Sequence, residues 1–509
     1  MGGDNCDRRP YMRPQSLPPR ARNDMLTTHP FDDDKLREEC GVFGIHGADS
    51  AAAVVALGLH ALQHRGQEAA GITAFDGREF HTHRAMGHVA GNFDRDDIMR
   101  QLAGASSIGH VRYSTTGETA LRNAQPLFAD LATGGFAVAH NGNISNATAL
   151  RKILVRRGSI FQSTSDTEVI IHLVATSNYR TLLDRFIDAL KQVEGAYSLI
   201  CLTAEGMIGC RDPLGIRPLV IGKLGDAHIL ASETVALDVV GAEFVRSVDP
   251  GELVIIRDGE LTSHRPFAER AARPCIFEYV YFSRPDSIVE GTSVYSVRKA
   301  IGAELARENA VDADLVIPVP DSGTPAAIGY AQESGIPFEL GIIRSHYVGR
   351  TFIQPGDKVR HLGVKLKHNA NRALIAGKRI VLIDDSIVRG TTSLKIVQMM
   401  RDAGAAEVHM RIASPPTSHS CFYGVDTPER AKLLAAQMTV GQMANFINAD
   451  SLAFLTIDGL YRALGEAKRS DDVPQYCDAC FTGDYPTTLT DFDENSVDDQ
   501  FSLLAERVV

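Results

Sequence analysis

VLIDDSIVRGTTS, residues 381–393, joins a strand, a tight polar loop and a helix start in one run. Ile380 to Ile383 is unbroken aliphatic sequence, the pattern of a parallel strand buried on both faces. Asp384 and Asp385 fall where that strand must end, Gly390 lets the backbone approach a ligand, and Thr391, Thr392 and Ser393 offer hydroxyls and N-cap chemistry. Leu394, Val397, Met400 and Ala403 then recur at helical spacing and define one buried face. A loop that opens a helix presents free N–H groups, which suit a phosphate. Two carboxylates beside such a cradle suit magnesium, which prefers oxygen ligands and shares them with substrate phosphates. The competing reading is a βα turn whose two acids are solvated.

The stretch resembles the phosphoribosylpyrophosphate (PRPP) loop of type I phosphoribosyltransferases. That resemblance implies a doubly wound parallel sheet, with Asp384 and Asp385 on ribose hydroxyls and magnesium. It also implies a 5-phosphate cradled by Ser386 and by Val388, Arg389, Gly390, Thr391 and Thr392.

At 509 residues the chain exceeds one core and predicts two or three domains. Its 44% apolar and 23% charged residues are ordinary for a globular protein, and a formal charge of −11 argues against general nucleic-acid binding. No apolar run reaches membrane-spanning length and no signal peptide is evident, so a cytoplasmic protein without a membrane partner is expected. Eight cysteines are too few for a disulfide scaffold and suit buried, catalytic or metal-bound roles.

Residues 1–39 are rich in proline and charge and poor in aliphatics, too little to fold alone. Met25 offers a second start. The folded part is expected to begin at Cys40, with CGVFGIHG as a strand and Ala51 to Leu62 as a helix. EECGVFGI, LQHRGQEAAGI, GHVRYSTTG, NAQP, AHNGNISN and STSDTE, the last four read as polar loops between apolar runs, together resemble the glutaminase domain of the N-terminal-nucleophile amidotransferases. This implies an αββα sandwich over residues 40–270 and removal of residues 1–39 to expose Cys40 as nucleophile. An α-amino group titrates near ~7.7 to 8, so its neutral form can take the thiol proton. The resemblance makes Asn141 and Gly142 the oxyanion hole, Arg112 the clamp on the glutamine α-carboxylate and Asp166 the partner of its α-amino group. Taken singly, Asn141–Gly142 reads as a tight turn, and Arg112 and Asp166 as surface charges.

Residues 195–265 alternate short apolar runs with turns and predict antiparallel sheet. A second domain is expected over 271–470. In it Leu315 to Val319 predicts a strand whose turn, PDSGTPAA, lies beside the Asp384 loop at the carboxyl edge of the sheet. Ser322 reads either as a further magnesium ligand, by resemblance, or as a helix N-cap. Residues 344–372 hold seven Lys or Arg against one Asp, a local charge of +6 (7 − 1), read as a lid over pyrophosphate or as a solvated basic loop. By resemblance Arg350 and Lys358 contact PRPP there.

Cys477 and Cys480 form a C-x-x-C pair within a tail, 471–509, and with Cys421 and Cys275 could hold either zinc or a 4Fe-4S cluster. The settings CIFEYVYFSRPDS, CFYG and CDACFTG resemble the Bacillus-type branch of the glutamine PRPP amidotransferase family, which implies a structural 4Fe-4S cluster pinning the tail. Cys6, Cys201 and Cys210 and the acidic last 25 residues receive no role. From Cys40 to about Tyr485 the chain resembles that family, whose activity is glutamine-dependent synthesis of 5-phosphoribosylamine. The resemblance further implies glutamine and PRPP as substrates, feedback by purine nucleotides and a homotetramer. The rivals are a PRPP-sensing regulator, which would need a basic DNA-binding face, and an amidotransferase with another acceptor.

Overall fold

The computed structural model describes residues 37–38, 40–113, 120–344 and 368–492. The lid positions Arg350 and Lys358, and Cys6, lie outside the described residues.

The N-terminal half is built from β1 (Gly41–His46), α1 (Ala51–Ala61), β2 (Ala69–Phe75), β3 (Phe80–Met86), β4 (Ser106–Arg112), β5 (Leu127–Leu131), β6 (Gly134–Ile144), α2 (Ala147–Arg156), α3 (Thr167–Thr176), α4 (Leu182–Leu190), β7 (Gly195–Thr203), β8 (Gly206–Arg211), β9 (Val220–Leu224), β10 (Ala227–Ala231), α5 (Thr234–Val240), β11 (Glu243–Ser247), β12 (Leu253–Arg257) and β13 (Glu260–His264). Two antiparallel sheets form, in the orders β11-β9-β10-β1-β4-β2-β3 and β13-β12-β8-β7-β6-β5. Period-2 alternation along each strand places the layers. Val42 and Ile108 of the first sheet meet Ala137, Ala139, Ile200 and Leu202 of the second in one core. Phe43, Ile45 and Ile72 point the other way onto Val55 and Leu59 of α1, while Phe136, Val138 and Leu199 of the second sheet face α3 and α4. Helix, sheet, sheet and helix thus stack as the expected αββα sandwich. Cys201 and Cys210 belong to its outer core, where burial pushes both thiols far above their ordinary range.

The second half contains α6 (Val294–Glu308), β14 (Leu315–Pro318), α7 (Thr324–Ser334), β15 (Arg379–Asp384), α8 (Thr391–Asp402), β16 (Glu407–Ile412) and β17 (Ser451–Phe454). The four strands form one parallel sheet in chain order, with Leu315 opposite Ile380 and Ile380 opposite Val408. Val316, Val381 and Ile383 face α6 and α7, whereas Leu315, Ile317, Ile380 and Leu382 face α8. The strand is therefore apolar on both faces because helices cover both.

Two local expectations are corrected. The buried face of α8 is Thr392, Ser393, Ile396, Val397 and Met400, and Leu394 is only half-buried. No hydroxyl caps this helix: its N-cap is Gly390, at φ 79°, where a Cβ would lie 2.6 Å from Leu434. The left-handed backbone and the crowding both require glycine.

Candidate active sites

Cys40 immediately precedes β1, and since Gly41 pairs with Val111, it stands level with Arg112 at the end of β4. Both residues are buried, and the Cys40 N–H donates to the Arg65 carbonyl at 3.2 Å. Asn141 and Gly142 are not in a turn. They lie inside β6, where they pair with Ser198 and Tyr197, because AHNGN is strand held by its backbone ladder despite its polar side chains. Gly142 has φ +147°, and a Cβ there would fall 2.1 Å from the Ala196 carbonyl.

Sheet packing brings these residues of the two layers together through Ser232, just after β10. Its hydroxyl accepts the Val42 N–H at 3.0 Å from the strand that follows Cys40 and the Asn141 side-chain amide at 3.1 Å from the facing sheet. Arg217 donates to the Asn141 amide oxygen at 3.3 Å, fixing which way the amide points. An amide nitrogen has two protons, so the bond to Ser232 engages only one of them. Asp166 caps α3 by accepting the Thr167 N–H at 2.8 Å and ties that helix to the end of β6 by accepting the Ile144 N–H at 3.0 Å. Burial lowers the pKa of His140, and that of His110 to about 3, keeping both rings neutral.

Behind this site runs a buried ionic chain. Arg217 lies 3.3 Å from Glu278, Glu278 accepts from Arg65 at 2.7 Å, and Arg65 also bonds Glu233. Despite burial, the two arginines hold Glu278 below the usual carboxylate range, and Arg65 with His64 does the same for Glu233. Sequence reasoning missed Arg65, Arg217, Ser232, Glu233 and Glu278. Each is unremarkable locally, because its partners lie far away along the chain.

The second constellation lies at the carboxyl edge of the parallel sheet. Asp384 ends β15, and Asp384, Asp385 and Ser386 are buried. Asp385 accepts from Ser386 at 2.8 Å and from the Ser322 hydroxyl, joining the two loops predicted to be neighbours. Ser322 is not the N-cap of α7, a position taken by Gly323. Val388 is buried, with its carbonyl accepting the Leu434 N–H at 2.8 Å, whereas Arg389 and Thr391 are exposed at the mouth. Buried Arg298, bonded to the Tyr279 and Ser283 carbonyls, lends positive charge to Asp385.

Cys275, Cys421, Cys477 and Cys480 line one largely apolar cavity with Ile216, Phe277 and Tyr423. Cys275 and Cys477 are bridged through their backbones, and the Tyr423 N–H points at the Cys421 sulfur at 3.3 Å. Burial pushes the Cys275 thiol up to about 12 and those of Cys477 and Cys480 well above the ordinary range. Among the described residues, no group of three or more His, Cys, Asp or Glu side chains is arranged to hold a metal ion, and no helix is long and apolar enough to cross a membrane.

Residues 110–239 match the model of a glutamine amidotransferase domain. Over 485 residues the chain is 58% identical to an amidophosphoribosyltransferase of Rhizobium etli, covering 94% of this chain and 98% of that one. It is 49% identical over 455 residues to the amidophosphoribosyltransferase of Bacillus subtilis, covering 89% and 95%. Among solved structures, the Bacillus subtilis glutamine PRPP amidotransferase complexed with ADP and GMP superposes with a TM-score of 0.83 at 48% identity, covering 88% of this chain and 98% of that one. With both sites on one chain and near-complete coverage of these relatives, the chain belongs to the amidophosphoribosyltransferase family.

Proposed function

We propose that the two sites act in series, Cys40 freeing ammonia from glutamine and the Asp384 loop delivering it to PRPP. The chain is a glutamine-dependent pentosyltransferase of the first step of purine nucleotide synthesis. Removal of residues 1–39 leaves Cys40 with a free α-amino group, which takes the thiol proton as sulfur attacks the glutamine side-chain carbonyl. The tetrahedral oxyanion is met by the Asn141 side chain and the Gly142 N–H, while Arg112 and Asp166 hold the α-carboxylate and α-amino group. Collapse expels ammonia and leaves a thioester, which water hydrolyses to glutamate. In the second domain ammonia attacks C1 of the ribose as pyrophosphate departs, giving 5-phosphoribosylamine.

Asp384 and Asp385 orient the ribose hydroxyls, and Ser386 with residues 388–392 binds the 5-phosphate at the start of α8. Oxygen donors from Ser322, Asp384 and Asp385 fit magnesium, which would neutralise charge on the departing pyrophosphate. Arg350 and Lys358 are assigned to the lid over the same anion. The four cysteines share one cavity, which supports the iron–sulfur cluster that the family resemblance implies. Such a group would hold as thiolates sulfurs that burial alone keeps protonated. The ADP and GMP of the Bacillus subtilis structure support purine nucleotides as regulators here, and a homotetramer and a cytoplasmic location are part of the same proposal.

The observation that carries this reading is the Ser232 bridge, which places Cys40's strand and Asn141 at one point. Its test is Cys40→Ala in processed protein. Glutamine-dependent synthesis should disappear while ammonia-dependent synthesis persists, and loss of both from folded protein would overturn the separation of the sites.

A further inference from the structure

The start of α2, three residues beyond Ile144, is not capped from within its own segment. Its N-cap residue is Asn146, yet that side chain is used elsewhere, donating to the Gln192 carbonyl at 3.0 Å and accepting the Glu194 N–H at 3.0 Å. The free N–H groups of the first turn are taken by a residue more than 300 positions away. Asp491 accepts from Thr148 at 2.6 Å and from Ala149 at 2.9 Å, one with each carboxylate oxygen. A carboxylate in this position satisfies orphan donors and complements the helix dipole.

The contact is one of several along the same tail. Ser145 donates to the Thr488 carbonyl at 3.2 Å, Thr490 donates to Glu194 at 2.8 Å, and the Asp491 N–H donates to the Ser145 carbonyl at 3.2 Å. Phe492 lies against Phe422 with ring centroids 4.2 Å apart, and the Phe422 carbonyl accepts from Asn143 at 3.0 Å. The neighbouring Gly424, at φ 107°, is so close that a Cβ on it would lie 3.1 Å from the Gly142 Cα. The tail and the Cys421 loop therefore hold the sequence 142–149 through several separate contacts.

We propose that Asp491 is a positioning residue for glutamine hydrolysis, capping α2 from a distant part of the chain so that the tail holds the Asn141–Gly142 strand end in register. The proposal rests on the oxyanion-hole reading of Asn141 and Gly142. It gives the tail a task in the first half-reaction, although the tail emerges from the second domain.

The test is steady-state kinetics of the processed, cluster-containing protein with Asp491→Ala, Asp491→Asn and Asn141→Ala. Asp491→Ala should lower kcat/KM for glutamine about fivefold, the factor to which one helix cap corresponds, with ammonia-dependent synthesis unchanged. Asp491→Asn should recover only part of the loss, since its one amide oxygen can accept from one of the two N–H groups. Hydrogen exchange should show faster exchange confined to residues 143–150. Equal loss of both activities, or no change in either, would overturn the proposal. Should Asn141→Ala keep full glutamine use, the oxyanion-hole reading falls and takes this one with it. Should Asn141→Ala abolish glutamine use while Asp491→Ala leaves it intact, the capping role alone is wrong. If Asp491→Ala fails to accumulate, Thr490→Ala, which removes only the bond to Glu194, must show a smaller loss of the same selectivity.

Discussion

The proposed acceptor site and the proposed glutamine site differ in how the chain makes them. The proposed acceptor site is mostly local: Asp384 to Thr392 runs from a strand end through one loop into a helix start, and Ser322 arrives on the adjacent strand's own loop. The proposed glutamine site is distributed, with Cys40, Arg112, Asn141 and Asp166 on separate elements and Ser232 joining two sheets. A local site is specified by turn chemistry and a helix N-terminus. A distributed one exists only when two sheets pack in register, so its supporting residues carry as much information as its reactive ones.

The sharpest way to separate the two is to disable the local site alone. Asp384→Asn with Asp385→Asn should reduce pyrophosphate release by at least about a thousandfold while glutamine hydrolysis without PRPP persists, measured by separate glutamate and pyrophosphate assays. Retained synthesis would remove the loop from the acceptor site. Next in size is Gly142→Ala, where the new Cβ meets the Ala196 carbonyl at φ +147°. Glutamine-dependent turnover should fall at least about a hundredfold, the scale of losing an oxyanion donor, with ammonia-dependent synthesis largely kept.

A smaller effect should follow from Ser232→Ala, which removes the acceptor shared by Val42 and Asn141 without touching any reactive atom. A loss of about tenfold in kcat/KM for glutamine is expected from two buried donors left unpaired. An unchanged value would show that Arg217 and the β6 ladder hold Asn141 unaided. The smallest change concerns the sandwich alone. Burial opposes ionisation of Glu252, yet Arg246 and Ser263 hold its pKa down to about 2. A depressed carboxylate stabilises the fold above its unfolded value near ~4.5 and loses that contribution as pH falls toward 2. Thermal midpoints of the parent and Glu252→Gln should differ at neutral pH and converge over this window, with neither activity selectively affected.

Much of the molecule was legible because its signals are local or periodic. The aliphatic run before Asp384 and the alternation over 195–265 predicted a parallel strand and antiparallel sheet, and both are found. The hydroxyl cap on α8 was misread because Gly390 alone satisfies the turn, and AHNGN was read as a loop because polar side chains hide a strand whose backbone is fully paired. Nothing local could reveal Ser232, Arg217 or Asp491, whose roles come from partners 91, 76 and 343 positions away. The tail looked idle for the same reason: a cap supplied from a distant part of the chain leaves no mark on the helix it caps.

Glutamate and pyrophosphate release should be measured together in anaerobically purified, processed protein given glutamine, PRPP and magnesium. The two sites working in series predict equal release of both products, with glutamate formation strongly stimulated by PRPP. Glutamate without pyrophosphate would contradict the acceptor assignment, and release of neither, with Cys40 at the free N-terminus, would contradict the serial account altogether.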